Sequence, residues 1–420
     1  MKIVGIIAEY NPFHSGHSYH IRQARMKTGA QYCIAVMSGD FVQRGEPAVF
    51  SKYLRTRMAL TCGADLVIEL PSIFAVSSAE DFASCGVALL NSLGIVDYLC
   101  FGSEEGEIAP IRALASLLAS ESSDFSDRLK EGLRTGLSWP QARNKALLDL
   151  ACCDPDFPAK SDALNRLLGS PNSLLGIEYC KALIRSRSSL IPVTVSRRGQ
   201  GYHDETLEGG QASASAIRRL LTENSSLPHN DARLLSHIPP ELLPLYCQEK
   251  ALTADDFSLV LNSVLLTIFR EERILTEYAD VSEELANRLK NCLLQYDSWQ
   301  GRIAQLKTKQ YTYTRISRCL LHLLLGITHD QISRAKDIGY APYARILGFK
   351  KEAVPLLSQL KHSSSIPLIT KTATADRLLT GTALDMFRQD LYASHMRQAA
   401  MLRHNGEYIK NEFNQPLCIL

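Results

Sequence analysis

The sequence predicts an α/β fold, in which a Rossmann-like parallel sheet with a helical insertion is followed by a mostly α-helical C-terminal domain. Over the first 220 residues, buried-strand patterns alternate with amphipathic helical patterns, which is typical of a parallel sheet with helical crossovers. Residues 108–168 show helical periodicity and no clear strand. After Arg218 the strand patterns stop. We therefore predict an α/β domain at residues 1–222 and a helical domain at residues 223–420.

Short apolar runs define the strands of the predicted sheet. They lie at residues 2–9, 32–38, 65–70, 96–101 and 192–196, with amphipathic segments such as 16–28 and 51–62 between them. A polar, proline-containing link at 223–240 leads into helical patterns at 241–361 and 376–404. Since ligands bind at the carboxyl ends of the strands in such sheets, a site is expected in the loops that follow them.

Composition excludes several classes of protein. With 45% hydrophobic and 21% charged residues among 420, the chain is not predominantly disordered. No window of about 18 apolar residues predicts a membrane span, and the N-terminal apolar run, broken by Glu9, is a first strand and not a signal peptide. The eleven cysteines form no C-x-x-C pair, so a structural metal is not expected. A reducing cytoplasm is the expected location.

Charge is distributed unevenly along the chain. The formal net charge of +2 is the balance of 0 for residues 1–219, −8 for 220–287, +9 for 288–351 and +1 for 352–420. The small total therefore does not exclude a nucleic-acid partner, because the basic block could form a local phosphate-binding surface.

The most informative segment follows the first strand and opens the first helix. It contains the motif H-x-G-H at His14 and His17. A helix N-terminus offers unpaired amides to a phosphate, and two imidazoles beside it can donate hydrogen bonds to an α-phosphate under attack. Gly16 allows close approach of the backbone, and Pro12 stiffens the turn. The alternative is a pair of surface histidines in a turn.

A second cluster, at residues 212–218, comes after the last predicted strand and starts a helix. Ser213, Ser215 and Arg218 could form another phosphate cradle, although a serine N-cap would produce the same pattern. Neither G-x-x-x-x-G-K-[ST] nor G-x-G-x-x-G occurs, so a P-loop and a dinucleotide-binding fingerprint are not supported.

Together the two clusters resemble the HIGH-type nucleotidyltransferase superfamily. The sequence resembles the tRNA(Met) cytidine acetate ligase family more closely, over about residues 1–350. The matching blocks are GIIAEYNPFHSGH from residue 5, MSGDFVQRGEPA from 37, GADLVIELP from 63, FGSEEG from 101, SPNSLLGIEY from 170, YHD from 202 and YTYTRI from 311.

This resemblance implies that the protein uses ATP to activate acetate as acetyl-adenylate and transfers the acetyl group to N4 of the wobble cytidine of elongator tRNA(Met). ATP is then a substrate, with Mg²⁺ on its phosphates, and the helical domain binds the tRNA. The chemistry is reasonable, because the N4 lone pair is delocalised into the ring and free acetate is a poor acyl donor. A mixed anhydride with AMP provides a good leaving group.

The resemblance also assigns site residues. It implies catalytic roles for His14, His17 and Arg197. The implied ATP site comprises Ile7, Ala8, Glu9, Tyr10, Asn11, Pro12, Phe13, His14, Ser15, Gly16, His17, Ser18, Tyr19, His20, Gly102, Asn172, Arg197, Ser215 and Arg218. Ser15 and Ser173 stand where asparagine is usual in the family, which leaves Asn172 as the better candidate in its loop.

Weaker signals concern acetate, metal and RNA. Ser38, Asp40, Gln43 and Arg44 form either an acetate-binding loop or an ordered loop with a salt bridge. Glu104, Glu105 and Glu107 either position Mg²⁺ through water or form an exposed acidic turn. Tyr311, Arg315, Arg318 and His322 share a predicted helix face that suits RNA, or that is simply solvated with one packed tyrosine. The tRNA-binding candidates are Lys52, Arg55, Lys307, Lys309, Tyr311, Arg315, Arg318, Lys350 and Lys351.

Several interpretations stay open at this point. Lys52 and Arg55 could contact ATP phosphates or tRNA, or lie on a solvated helix face. The whole protein could be a small-molecule adenylate-forming enzyme similar to pantothenate synthetase that uses no RNA, although the basic block at 288–351 argues against this. It could also be a non-catalytic RNA-binding protein, which the intact His14, Gly16, His17 and Arg218 disfavour.

Overall fold

The computed structural model describes residues 1–120, 122–196, 213–223, 232–295, 298–308, 310–405 and 409–420. A mostly parallel sheet is surrounded by helices, which confirms the predicted fold class. The strands are β1 (Ile3–Ala8), β2 (Tyr32–Ser38), β3 (Phe41–Val42), β4 (Glu46–Pro47), β5 (Leu66–Leu70), β6 (Tyr98–Ser103), β7 (Ile191–Ser196), β8 (Ala344–Phe349), β9 (Leu368–Ile369) and β10 (Cys418–Ile419).

Helices fill the connections and most of the C-terminal half. They are α1 (Ser15–Thr28), α2 (Lys52–Thr61), α3 (Ser72–Ala75), α4 (Ala79–Ser92), α5 (Ile108–Ser120), α6 (Ser123–Arg134), α7 (Trp139–Cys153), α8 (Ser161–Gly169), α9 (Pro171–Arg185), α10 (Ala214–Glu223), α11 (Ala232–Leu235), α12 (Leu243–Tyr246), α13 (Ser258–Arg270), α14 (Glu283–Asn291), α15 (Trp299–Leu306), α16 (Tyr313–Leu325), α17 (His329–Asp337), α18 (Val354–Ser363), α19 (Ala375–Leu378) and α20 (Gly381–Asn405). Short 3₁₀ helices lie at Pro240–Leu242, Ala254–Phe257, Leu275–Glu277, Lys351–Ala353 and Thr372–Thr374. The predicted insertion is helical and forms α5 to α8.

The order of the strands determines where a ligand is expected. The main sheet runs β10-β8-β5-β2-β1-β6-β7, and β1 is parallel to both of its neighbours. The chain moves outward from β1 to β5 on one side and from β6 to β7 on the other. The winding direction therefore reverses between β1 and β6, and a crevice at their carboxyl ends is the expected binding position.

Side chains of β1 alternate between two cores, one on each face of the sheet. Val4 and Ile6 are buried with Ile21 of α1 and Met58 of α2. Ile3 and Ile7 belong to the core on the other face, which includes residues of α4 and α9. Residues that end β1 are thus held from both sides. Among the described residues, no helix combines the length and the apolarity needed to cross a membrane.

Within the described residues, the main sheet also contains three strands that the sequence analysis did not predict. β8, β9 and β10 lie after Arg218, where no strand was expected; β8 pairs antiparallel with β5, and β9 and β10 pair parallel with β8. The last two strands have only two residues each. The short apolar run of β8 resembles a buried helix segment, which periodicity cannot distinguish. The domain boundary at residues 222 and 223 stays a prediction, although strands from both sides of it share one sheet.

Candidate functional site

A cleft of about 230 Å³ opens at the carboxyl ends of β1 and β6. It brings together residues that lie far apart in the sequence. The described residues that line it are Ile7, Ala8, Glu9, Tyr10, Asn11, His14, Gly16, His17, Tyr19, His20, Gln43, Arg44, Phe82, Phe101, Gly102, Asn172, Leu175, Tyr179, Val195, Ser196, Ser213, Ala214, Ser215 and Arg218. Most of the ATP-site residues implied by the resemblance are therefore placed in one cleft.

The two histidines of the H-x-G-H motif cap α1. The N–H of Gly16 donates to His14 Nδ1 at 3.0 Å, and the N–H of His14 donates to His17 Nδ1 at 3.2 Å. Because each Nδ1 accepts a hydrogen bond, each neutral ring carries its proton on Nε2. The ring centroids are 3.9 Å apart. The pair therefore brings two N–H donors of fixed tautomer to the cleft wall.

The amides at the start of α1 are less available than the sequence suggested. The N–H of Ser15 donates to the carbonyl of His237 at 2.9 Å, and that of His17 donates to the carbonyl of His14 at 2.9 Å. The Gly16 amide is occupied by the His14 ring. The expectation of unpaired amides is therefore wrong for these groups. A phosphate at this position would meet the imidazoles and the positive end of the helix dipole.

Some of the implied ATP-site residues act behind the cleft wall. Pro12, Phe13, Ser15 and Ser18 are not among the residues that line the cleft. Phe13 is fully buried, and its carbonyl accepts a hydrogen bond from Tyr246 Oη at 2.5 Å. These residues therefore shape the loop and attach it to α12, instead of facing a ligand.

The second predicted cluster lies beside the first. Ser213 Oγ accepts from the Ala216 N–H at 3.2 Å. Ser213 therefore caps α10, which is the alternative to a phosphate cradle that the sequence left open. Arg218 donates to the carbonyl of Asn11 at 2.8 Å and to Ser215 Oγ at 2.9 Å. This arginine thus joins α10 to the histidine loop and places a cation in the cleft wall. Arg197 lies outside the described residues.

The wall formed by β6 and α9 contains Gly102 and Asn172 as expected. Asn172 Nδ2 and Ser173 Oγ each donate to Glu104 at 2.8 Å. Partial burial would raise the pKa of Glu104, but these hydrogen bonds lower it. Glu105 forms an ion pair with Arg166 at 2.6 Å. Glu104 and Glu105 therefore have protein partners. Among the described residues, no cluster of three or more His, Cys, Asp or Glu side chains could hold a metal ion.

Apolar members of the wall were missed. They are Phe82, Phe101, Leu175, Tyr179 and Val195, together with the small polar Ser196. In the sequence, the apolar positions of α4 and α9 are indistinguishable from ordinary core positions, because both have the same helical spacing. The folded structure is needed to show that Phe82, Phe101 and Tyr179 lie at the same edge of the sheet and therefore belong to the site.

The loop proposed for acetate divides into two parts. Gln43 and Arg44 line the cleft, and the Gln43 N–H donates to Glu9 Oε1 at 2.9 Å. Ser38 and Asp40 do not line it; both are buried, and Asp40 accepts from the Lys52 N–H at 3.0 Å. The alternative of an ordered, ion-paired loop is therefore correct for Asp40.

Lys52 and Arg55 were expected to contact ATP phosphates or tRNA, or to lie on a solvated helix face, and each of these expectations is wrong. Both have 0% exposure. Lys52 Nζ lies 2.9 Å from Glu69 and 3.0 Å from Glu412. Arg55 donates to the carbonyls of Glu9 at 2.6 Å and Ser38 at 3.0 Å, and burial lowers its pKa to about 10. Arg55 therefore clamps the ends of β1 and β2 from beneath the cleft.

The helix face proposed for RNA is only partly exposed. Tyr311 and His322 are buried, and Tyr311 Oη is 2.6 Å from Ser282 Oγ. Arg318 is mostly buried and pairs with Asp280 at 3.0 Å. Arg315 is exposed, with its guanidinium 4.9 Å from the centre of the Tyr311 ring. Tyr311 is therefore the packed tyrosine of the alternative interpretation, whereas Arg315 faces solvent.

Tyr313 is the exposed aromatic residue at the start of α16, and the sequence analysis did not select it. It is 37% exposed. Burial of the rest of the ring and a hydrogen bond to Glu46 raise its pKa, while nearby Arg218 of the cleft wall lowers it. The start of α16 therefore lies near the cleft.

Two of the predicted lysines, Lys350 and Lys351, lie at the edge of the sheet opposite the cleft. Lys307 and Lys351 are exposed, and Lys350 is partly exposed; Lys309 lies outside the described residues. Because β8 is antiparallel to β5, Lys350 and Lys351 follow β8 at the amino edge of the sheet, where the Lys350 N–H donates to the carbonyl of Asp65. Six residues of strand, about 20 Å, separate them from the carboxyl edge.

The hairpin that carries Gln43 and Arg44 is held by α16. Gly45 has φ +79°, and a Cβ there would lie 2.3 Å from the backbone nitrogen of Arg318. Ser317 Oγ donates to the Gly45 carbonyl at 2.8 Å. The hairpin backbone therefore touches the helix backbone at a position that only glycine allows.

We expect Gly45→Ala to destabilise the protein by about 2–4 kcal/mol, since it combines an unfavourable φ with a backbone collision. Gly326→Ala is the matched control, because Gly326 ends the same helix at φ +70° with no atom within 4 Å of its Cβ position. Thermal unfolding measures both variants, and hydrogen exchange reports the amides of residues 41–46. Equal effects of the two substitutions would show that contact with α16 does not hold the hairpin.

Comparison with known proteins finds similarity along almost the whole chain. The sequence profile of the family HIGH Nucleotidyl Transferase matches residues 1–411. A tRNA(Met) cytidine acetate ligase of Acetivibrio thermocellus is 38% identical over 421 residues, which cover 98% of this chain and 99% of the relative. A protein of the same name from Clostridium kluyveri is 37% identical over 424 residues, which cover 100% and 99%.

Solved structures give the same result. Thermotoga maritima TmcAL in its apo form superposes with a TM-score of 0.90 at 27% identity, with all of both chains covered. The structure of that protein bound with alpha-thio ATP gives a TM-score of 0.88 at the same identity and coverage. With this similarity along its full length, the chain belongs to the tRNA(Met) cytidine acetate ligase family of HIGH nucleotidyltransferases.

Proposed function

We propose that the protein is an ATP-dependent ligase that forms acetyl-adenylate and transfers the acetyl group to N4 of the wobble cytidine of elongator tRNA(Met). The observation that carries this proposal is the pair of Nε2-protonated histidines that shares a cleft with Arg218. Such donors suit the α-phosphate of ATP, where negative charge increases during attack. The names of the full-length relatives support the choice of tRNA.

The first step joins acetate to AMP. A carboxylate oxygen of acetate attacks the α-phosphorus, the bond from that phosphorus to the bridging oxygen breaks, and pyrophosphate leaves. His14 and His17 stabilise the charge on the α-phosphate oxygens, and Arg218 neutralises phosphate charge beside them. The wall of Gly102 and Asn172 receives the adenosine. Mg²⁺ arrives with ATP, held mainly by phosphate oxygens and water, as this cation prefers.

Acetate is assigned to the part of the cleft near Gln43 and Arg44. Arg44 supplies a cation for the acetate carboxylate, and the aromatic side chains of Phe82, Phe101 and Tyr179 offer an apolar surface for the methyl group. The second step releases AMP when N4 of cytosine attacks the acetyl carbon. Because tRNA is the acceptor, the enzyme is expected to work in the cytoplasm.

The decisive experiment uses labelled acetate. Purified protein is incubated with ATP, labelled acetate and tRNA(Met), and the nucleosides are analysed by mass spectrometry. Labelled N4-acetylcytidine is expected at the wobble position. If acetate supports ATP–pyrophosphate exchange but no nucleoside is labelled, a small-molecule adenylate-forming enzyme becomes the better assignment.

The tRNA is proposed to approach along the start of α16, where Tyr313 interacts with Arg218 of the cleft wall and Arg315 is exposed. We expect Arg315→Ala to weaken tRNA binding and to reduce the slope of log K against log salt by about one, because one phosphate contact is lost. Lys351→Ala removes an equally exposed cation at the opposite edge of the sheet and should change the slope much less. A larger effect of Lys351→Ala would move the tRNA surface to that edge.

A further inference from the structure

The proposed transfer step requires a group that accepts the N4 proton. As N4 of cytosine bonds to the acetyl carbon, the bond between that carbon and the bridging oxygen of AMP breaks. The attacking nitrogen must also lose a proton to give a neutral amide. A base that receives this proton within hydrogen-bond reach typically accelerates such a step by about 10²–10⁴-fold.

The hydrogen bonds of the cleft argue against its two motif histidines in this role. His14 Nδ1 accepts from the Gly16 N–H and His17 Nδ1 from the His14 N–H. Their Nε2 atoms carry the protons, so neither neutral ring has an unprotonated nitrogen facing the cleft. These residues are suited to donate to phosphate and not to accept a proton from the nucleophile.

Among the described residues that line the cleft, Glu9 is the only carboxylate. Asp40 is buried beside Lys52 and does not reach the cleft. Glu104 accepts hydrogen bonds from Asn172 and Ser173 on both of its oxygens. The phenol of Tyr179 is held protonated, because burial and the nearby Glu9 raise its pKa.

Glu9 is fixed at both ends. Arg55 donates to its backbone carbonyl at 2.6 Å, and the Gln43 N–H donates to Oε1 at 2.9 Å. Among the described residues, no hydrogen bond to Oε2 is formed. The carboxylate is therefore preorganised by the floor of the cleft and by the hairpin, with one oxygen available to a substrate.

We propose that Glu9 is the general base of acetyl transfer, and that it takes the proton from N4 as the acetyl–AMP bond breaks. The inference rests on the proposed function, since it concerns the second half-reaction of the same site. Glu9 lies at the end of β1, directly before the loop that carries His14 and His17, and it shares the cleft with Gln43 and Arg44. The acyl-adenylate and the incoming cytosine would meet at this position.

The pH dependence of transfer should reflect this role. Burial raises the pKa of Glu9, while Arg44, Arg218 and Arg55 lower it less. The other titratable groups that line the cleft are Tyr10, His14, His17, Tyr19, His20 and Tyr179. Since only the ionised carboxylate accepts a proton, the transfer rate should fall on the acidic side as Glu9 becomes protonated. His20 is the competing base, with Nε2 placed 3.6 Å from Cys100 Sγ.

Glu9→Gln is the informative variant, because its amide oxygen can still accept the Gln43 N–H while the proton acceptor is lost. Acetate-dependent ATP–pyrophosphate exchange measures the first half-reaction, and single-turnover transfer from enzyme-bound acetyl-adenylate to tRNA measures the second. We expect exchange to fall less than about 10-fold and transfer to fall about 10²–10⁴-fold, with loss of the acidic limb of the pH profile. Glu9→Ala should be at least as slow and less stable.

Each other outcome overturns the inference in a recognisable way. Normal transfer by Glu9→Gln would make Glu9 an anchor of the hairpin only, with the leaving phosphate as proton acceptor. Equal loss of both half-reactions would place Glu9 in ATP or Mg²⁺ binding. An unchanged acidic limb in Glu9→Gln would point to His20. If the unmodified protein catalyses no acetate-dependent exchange, the proposed function itself fails.

Discussion

Replacing His17 with alanine is expected to lower the rate of acetate-dependent ATP–pyrophosphate exchange by about 10²–10³-fold, the typical effect of removing one preorganised donor to a developing oxyanion. His17 is the third residue of α1, and its Nδ1 accepts from the His14 N–H, so Nε2 carries the proton that we propose is donated to the α-phosphate. The loss should appear mainly in the maximal rate, because the charge that this donor stabilises develops during the attack by acetate.

A second substitution separates catalysis from helix capping. Alanine at position 17 also removes the acceptor for the His14 N–H, and this costs stability. Glutamine is a favoured residue at the third position of a capping box, so His17→Gln should restore stability without restoring the imidazole. We expect a stable protein that remains slow in exchange. If the glutamine variant recovers the normal rate, capping and not phosphate contact is the role of His17.

The histidine loop was predictable because its information is local. The motif, the strand before it and the helix after it are contiguous, and the parallel sheet determines that the loop lies at a carboxyl edge. The same reasoning predicted that Ser215 and Arg218 would join the site, and Arg218 does contact the carbonyl of Asn11. What the sequence did not reveal was that His237, far along the chain, occupies the amide of Ser15.

Residues assigned by helix spacing were less predictable. Spacing shows which side chains share a face, but it does not show whether solvent or protein covers that face. Lys52 is covered by Glu412 of the C-terminal segment, which no sequence pattern had placed against this helix. Arg55 is covered by the backbone that ends β1 and β2. In the basic block at 288–351, Arg302 and Arg345 are likewise buried, so they do not contribute to a basic surface. Arg315 remains as an exposed cation in the first turn of α16.

The buried charges around Lys52 lead to the prediction with the largest effect on stability. Glu412 is fully buried, lies 3.0 Å from Lys52 Nζ and accepts from Arg345 at 2.6 Å. Glu412→Gln leaves these two buried cations with less compensating charge, so we expect a loss of about 3–5 kcal/mol in the free energy of unfolding. Denaturant unfolding measures it, with Asp330→Asn as a control that breaks an exposed Asp330–Arg334 pair and should cost much less.

The effect of Glu412→Gln should depend on pH in a definite direction. Burial by itself would raise the pKa of Glu412, but the ion pairs with Lys52 and Arg345 outweigh it and lower the pKa from its ordinary value of 4.5 to about 2. A carboxyl with a lowered pKa stabilises the fold above its unfolded pKa and loses that contribution as the pH falls through the folded value. The difference between the unmodified protein and Glu412→Gln should therefore be constant above about pH 5 and shrink between pH 4.5 and 2. A difference that does not change with pH would mean that shape, and not charge, makes Glu412 important, and that the C-terminal segment is held to β8 by packing alone.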